Sequence, residues 1–153
     1  MSVFRKILFP VDLSDSSAHI AAYVRMMAGR FESEIHLLFV ARVFGYFSGI
    51  YVPHPSIDTF EAEIVDGAAK RLSEFQSECF PESMSVRSTV VAGDAAEEIL
   101  AYVDREGIDL LVMGTHGRKG LEKVLFGSVA ERVVKTAPVP VLVVNPYKTK
   151  PGF

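Results

Sequence analysis

The sequence predicts an α/β fold, a three-layer α/β/α sandwich built on a parallel sheet. Two observations carry that reading. Strand-like and helix-like segments alternate along the whole chain, and the strand segments are continuous apolar runs rather than alternating ones. Strands covered by helices on both faces read this way, whereas a sheet with one face in water alternates. A length of 153 residues suits one domain with a single core.

The elements follow in order. Val3 to Val11 is short, apolar and ended by polar residues, which predicts the first strand. Apolar residues at Ile20, Val24, Met27 and Phe31 give the stretch from Ser14 to Arg30 helix spacing. Ser14 or Asp15 is expected to cap it. Glu34 to Ala41 is the second strand. Residues 42–58 mix glycine, proline and aromatic residues without steady periodicity and read as a long loop. Asp58-Thr-Phe-Glu61 has the form of a capping box and is expected to open the second helix. The apolar stripe of that helix is Ile64, Ala68, Leu72, Phe75 and Cys79. Met84 to Val91 is the third strand, Gly93-Asp94 a turn and helix cap, and Ala95 to Glu106 the third helix. Ile108 to Met113 is the fourth strand and Pro140 to Val144 the fifth, with a helix from Ser128 to Thr136 between them. The domain is expected to span 1–147, and 148–153 to form a flexible tail.

Composition narrows the function. Hydrophobic residues make up 49% and charged residues 23% of the chain, the proportions of an ordinary globule. A net charge of −3 gives no general attraction to nucleic acid or anionic membrane, so neither is expected as a partner. The single cysteine, Cys79, has no partner for an internal disulfide, and a cytoplasmic location is the simplest expectation. The N-terminal apolar run is too short for a signal peptide, and no stretch approaches the ~18–20 apolar residues that span a bilayer. His19, His36 and His54 are scattered without ligand spacing, so no metal cage built by the protein is expected.

The segment GTHGRKGLEKVLFGS, residues 114–128, stands out. A Walker loop requires Gly-Lys-Ser/Thr, but Gly120 is followed by Leu121. The dinucleotide fingerprint requires Gly-x-Gly-x-x-Gly after the first strand, and this segment follows the fourth. What remains is Gly114-x2-Gly117-x9-Gly127-Ser128. Gly114 and Gly117 allow a sharp turn with outward-facing amides. The chain then returns at Gly127-Ser128, the mouth of a helix, where free N–H groups and the helix dipole favour an anion. Glycines converging on one point make a phosphate cradle with little side-chain bulk. Ser128-Val-Ala-Glu131 also has the form of a capping box. Arg118, Lys119 and Lys123 either neutralise phosphate or are simply solvated. Ligands of parallel sheets sit beyond the carboxyl ends of the strands, where Asp12, the 41–45 turn and Gly114 all fall.

Gly-x2-Gly-x9-Gly-Ser/Thr after a fourth strand resembles the nucleotide-binding pattern of the universal stress protein family, in its ATP-binding branch. ILFPVDLSDSS, VVAGD, DLLVMGTHGRKG and VPVLVV are similar to that family's strand ends, so the resemblance covers nearly the whole chain. It implies a five-stranded parallel sheet in the order 3-2-1-4-5 with four main helices, an adenine nucleotide alpha hydrolase-like arrangement. By that resemblance, amides around Gly114, His116, Gly117, Gly127, Ser128 and Val129 hold the phosphates of ATP or another adenine nucleotide. Mg or Mn would ride on those phosphates. Asp12 would contact the nucleoside, with capping of the first helix as the alternative role. Val40 would offer backbone groups to adenine, and Pro10, Val11 and Met113 would wall the pocket. The last strand, Val141, Leu142, Val143 and Val144, would pair across a two-fold axis to make a homodimer.

The function implied is that of an ATP-binding stress-response protein, a nucleotide-dependent switch or sensor. No nucleophile, base and orienting residue occur together, so hydrolysis is expected to be slow or incidental. Two alternatives stand beside it. One is an enzyme acting at the α-phosphate of ATP. The other is a nucleotide-free dimeric scaffold that meets a protein through the aromatic 42–58 loop.

Overall fold

The apolar runs become the strands of one parallel sheet. The computed structural model describes residues 3–42, 55–115 and 127–148. In chain order the elements are β1 (Lys6–Pro10), α1 (Asp15–Phe31), β2 (Glu34–Ala41), α2 (Pro55–Cys79), β3 (Val86–Ala92), α3 (Ala95–Glu106), β4 (Leu110–Gly114), α4 (Ser128–Thr136) and β5 (Val141–Val144). The five strands lie in the order β3-β2-β1-β4-β5. Register is set by pairs such as Ile7 with Ile35, Ile7 with Leu110, Ile35 with Val86 and Leu111 with Val141.

Alternate residues of each strand face opposite layers. Ile7, Phe9, Ile35, Leu37 and Val112 meet α1 and α2 through Ile20, Val24, Leu72 and Phe75. Leu8, Leu38, Leu111 and Met113 meet α3 and α4 through Ile99, Val103, Ala130 and Val133. Ile7, Leu8, Phe9, Ile35, Leu37, Leu38, Leu111 and Val112 are fully buried. Each such side chain contributes about 1.5–3 kcal/mol of transfer free energy. The α1 stripe is Ile20, Ala21, Val24 and Ala28.

Helix ends show where local chemistry overrode the sequence pattern. Asp94 caps α3 as expected, accepting from the Glu97 amide at 3.0 Å. The helix ends at Gly107, in the left-handed region at φ 65°. Ser14 occupies the N-cap of α1 but makes no side-chain cap bond. α2 begins at Pro55, so Asp58 lies inside the helix and the predicted box does not start it. Proline is pre-set for the first helical position, where no amide hydrogen is needed. The predicted 42–58 loop is correspondingly shorter, and 43–54 lie outside the described residues. α2 has no basic residue in its last turn. Arg25 of α1 supplies one, donating Nη1 to the Cys79 carbonyl at 2.6 Å.

α4 carries the third correction. Its N-cap is Gly127, with no side-chain cap bond, and Ser128 is already helical. Glu131 pairs with Lys135 at 2.9 Å instead of reaching back to a cap. β1 starts later than predicted, because Asp109 Oδ2 takes the amides of Arg5 at 2.9 Å and Lys6 at 3.0 Å, leaving Val3 68% exposed.

Candidate functional site

The carboxyl ends of β1 and β4 lie side by side, yet the helices after them pack on opposite faces of the sheet. That divergence opens a crevice at the switch point of the strand order. The glycine segment borders it. Gly114 is the last residue of β4, opposite Val144, and Thr115 donates its amide to the Val144 carbonyl at 2.9 Å. Gly127 N–H in turn donates to the Thr115 carbonyl at 3.3 Å. The two arms of the motif therefore meet, although Gly114 and Gly127 are thirteen positions apart in sequence. His116 and Gly117 lie outside the described residues, as do Arg118, Lys119, Gly120 and Lys123.

Gly127 has an ordinary extended backbone, φ −63° and ψ 154°. A Cβ placed there would meet nothing within 4 Å among the described residues. Neither backbone conformation nor packing against described residues demands glycine at this position. The first turn of α4 has no side-chain cap, so the amides of Ser128, Val129 and Ala130 keep the donor capacity of a helix start. The Ser128 side chain is exposed, while Val129 packs against the α3/α4 core.

Asp12 sits where β1 leaves the sheet. Its Oδ1 accepts from the Ser14 amide at 3.0 Å, the Ser14 hydroxyl at 2.6 Å and the Ser17 hydroxyl at 2.8 Å. One oxygen thus organises the start of α1, and among the described residues Oδ2 accepts no hydrogen bond. Both readings of Asp12 have an atom to rest on. Leu13 makes the arrangement with a left-handed backbone, φ 61°, a conformation that costs a non-glycine residue about 1–3 kcal/mol and clusters at functional sites. Sequence reading named Ser14 as a cap but not its bond to Asp12, and Ser17 and this strained leucine escaped it; the Ser-rich run after Asp12 was the one available signal.

Val40 is placed by strand parity. Val11 N–H donates to the Leu38 carbonyl at 2.9 Å, and Gly93 N–H to the Ala41 carbonyl at 3.0 Å. Residues 38 and 40 therefore turn their backbone groups toward β1, and 39 and 41 toward β3. Because β1 ends at Pro10, opposite Leu38, the Val40 N–H and C=O point into the crevice beyond it. Val40 and Met113 pack in the α3/α4 layer, and parity puts Pro10 on the same face. Val11 differs. It is 6% exposed and its side chain belongs to the α1/α2 core, so only its backbone is available to the crevice.

The far side of the site is braced by charge. Arg132 of α4 lies 3.2 Å from Asp94 and 3.5 Å from Glu97 at the start of α3. Among the described residues no three His, Cys, Asp or Glu side chains are grouped as a metal site would require, and no helix is long and apolar enough to cross a membrane.

Residues 4–145 match the profile of the Universal stress protein family (Usp). Universal stress protein MJ0531 of Methanocaldococcus jannaschii is 33% identical, over 96% of this chain and 85% of that protein. Universal stress protein MJ0577 of the same organism is 31% identical, over 95% and 98%. The solved structure of MJ0577 superposes with a TM-score of 0.82 at 27% identity, covering 98% of this chain and 99% of that one. A universal stress protein from Archaeoglobus fulgidus, solved in complex with dAMP, has a TM-score of 0.61 over 94% and 99% at 16% identity, a likeness of fold. With the sheet order, the crevice and the glycine spacing in agreement, the chain belongs to the universal stress protein family.

Proposed function

We propose that this protein binds an adenine nucleotide, ATP first, in the crevice between β1 and β4, and acts as a nucleotide-dependent switch or sensor in a stress response. The observation that carries the reading is Gly127. It is a glycine that neither its φ of −63° nor the described residues around it require, placed at an uncapped helix start. A phosphate seated on the amides of Ser128 and Val129 gives that glycine a reason, since any side chain would intrude on it. Gly114 and Gly127 supply the rims, with His116 and Gly117 between them by the family pattern. Asp12 Oδ2 faces the ribose, the Val40 backbone reads the adenine edge, and Pro10, Met113 and the Val11 backbone complete the walls. Proteins of this fold have been solved with cAMP and with dAMP. At 18% and 16% identity they speak for the architecture rather than for these residues.

Mg or Mn fits as an ion carried by the phosphates with its own waters, needing few protein ligands. No nucleophile, base and orienting residue occur together in the sequence to position water and move a proton, so hydrolysis in this reading is slow or incidental. The cytoplasm suits such a protein. A homodimer through β5 completes the proposal: β5 is an edge strand, and Val134 on the adjacent α4 is 42% exposed. Acid extraction of purified protein, with chromatography of the released nucleotide and equilibrium dialysis against ATP, tests the binding. An adenine nucleotide in the extract or saturable uptake of ATP supports the reading; neither would remove it.

A further inference from the structure

The amino-terminal edge of the sheet, opposite the glycine loop, holds a buried polar chain that nucleotide binding leaves unused. His36 of β2 is fully buried. Its Nδ1 lies 2.7 Å from the Tyr102 hydroxyl of α3. Its Nε2 lies 2.7 Å from Oε1 of Glu34, a close contact in which neither atom is well aligned for a hydrogen bond. Tyr102 is 2% exposed and stands edge-on to the imidazole, with ring centroids 5.6 Å apart. Burial pushes the Tyr102 phenol above its ordinary value, so the hydroxyl keeps its proton. The network assigns one direction throughout. Tyr102 donates to Nδ1, and the neutral ring then carries its hydrogen on Nε2, 2.7 Å from Glu34 Oε1. In this neutral state the pair ties α3 to β2.

A second proton has no place in that arrangement. Protonated Nδ1 becomes a donor, so the Tyr102 hydroxyl must switch from donor to acceptor and its own hydrogen loses its buried partner. The surrounding charges are already matched. Glu34, on the same strand, is 3.5 Å from Arg87 of β3, which is also 3.7 Å from Glu106 of α3. Arg105 of α3 is 3.6 Å from Glu106 and 5.2 Å from the centre of the Tyr102 ring. Lys6 of β1 donates Nζ to the Glu106 carbonyl at 2.9 Å, and Asp109, just before β4, holds the Arg5 and Lys6 amides. Glu34 is thus shared with Arg87, and Glu106 with Arg87 and Arg105, so an imidazolium would add a buried charge whose one near carboxylate is already engaged.

We propose that His36 is an acid-sensitive lock, which holds the second half of α3 against the sheet when neutral and releases it when protonated. The sign follows from linkage. Burial pushes the His36 imidazole below its ordinary 6.5, helped by Arg87 and Lys6 and opposed by Glu34. The open state therefore takes up the proton first. The stabilisation is complete above about pH 6.5 and is lost as pH falls through the lower folded value.

Hydrogen exchange of the amides from Ile99 to Val103, corrected for intrinsic rates, tests this at about pH 7.5 and about pH 5.5, in wild type and His36→Asn. Asparagine offers Tyr102 an acceptor and does not titrate. The opening of α3 should rise several-fold in acid in wild type and stay level in His36→Asn, while NMR shows His36 titrating below 6.5. Equal acid responses in the two proteins, no response in wild type, or a His36 titrating at or above 6.5 would each overturn the lock. If His36→Asn does not fold, the wild-type titration and exchange decide the matter by the same criteria.

Discussion

At Gly127 the fold and the proposed ligand ask for different side chains. An N-cap in extended conformation is best served by aspartate, asparagine or serine, and the described structure has room for any of them. Gly127→Asp should therefore stabilise the ligand-free protein by about 0.5–1 kcal/mol through the cap and the helix dipole. The same carboxylate would occupy the phosphate position and abolish ATP binding. Urea denaturation with and without ATP separates the two effects, and an aspartate variant that still gained stability from ATP would contradict the site. Tyr102→Phe probes a different residue-scale demand. It removes the donor to buried His36 and should cost about 1–3 kcal/mol in the same measurement at neutral pH; a change of a few tenths would show the pair to be idle. Single residues were unevenly legible. Asp94 was readable as a cap because its bond to Glu97 is local. Asp12 was readable as important, but its bonds to Ser14 and Ser17 depend on the left-handed turn at Leu13, which leucine's own preferences do not announce. The pairing of His36 with Tyr102 was hidden altogether, since only tertiary packing brings the two rings together.

Elements were legible where one physical cue dominated. Continuous apolar runs placed the strands to within about three residues, because burial on both faces leaves no other pattern. Helix starts were harder, since several residue types compete for one position. Pro55 displaced the box at Asp58, and Gly127 displaced Ser128. The brace between α3 and α4 is an element-scale feature with a measurable size. Asp94→Ala should cost about 1 kcal/mol from the lost cap. A double-mutant cycle with Arg132→Ala should give a coupling of about 0.2–1 kcal/mol that fades with salt, because both groups are half exposed. A coupling that persisted in molar salt would show that something other than charge joins these helices.

For the whole molecule, alternation and burial pointed to a covered parallel sheet, but the order 3-2-1-4-5 came from resemblance to a family and not from periodicity. That order now accounts for the crevice, because it sets β1 beside β4 with their helices on opposite faces. Of the six residues assigned to the phosphates, His116 and Gly117 lie outside the described residues, and they enter the proposal through their spacing. The dimer is proposed on the exposed edge of β5, so light scattering at tens of micromolar should give twice the 16.8 kDa chain mass. A Val143→Lys change on that strand should shift it to monomer; a wild-type monomer would dispose of the interface. The claim on which the rest depends is that backbone groups around Gly114 and Gly127 hold an adenine nucleotide. Thermal melting with and without ATP tests it most directly. For a dissociation constant of about 10 μM, ~1 mM ATP adds roughly 2.7 kcal/mol, which for a chain of this length raises the midpoint by about 5–11 °C. A rise in that range that is absent in Gly127→Asp is the predicted result; a wild-type midpoint indifferent to ATP, in protein shown to carry no nucleotide already, would contradict it.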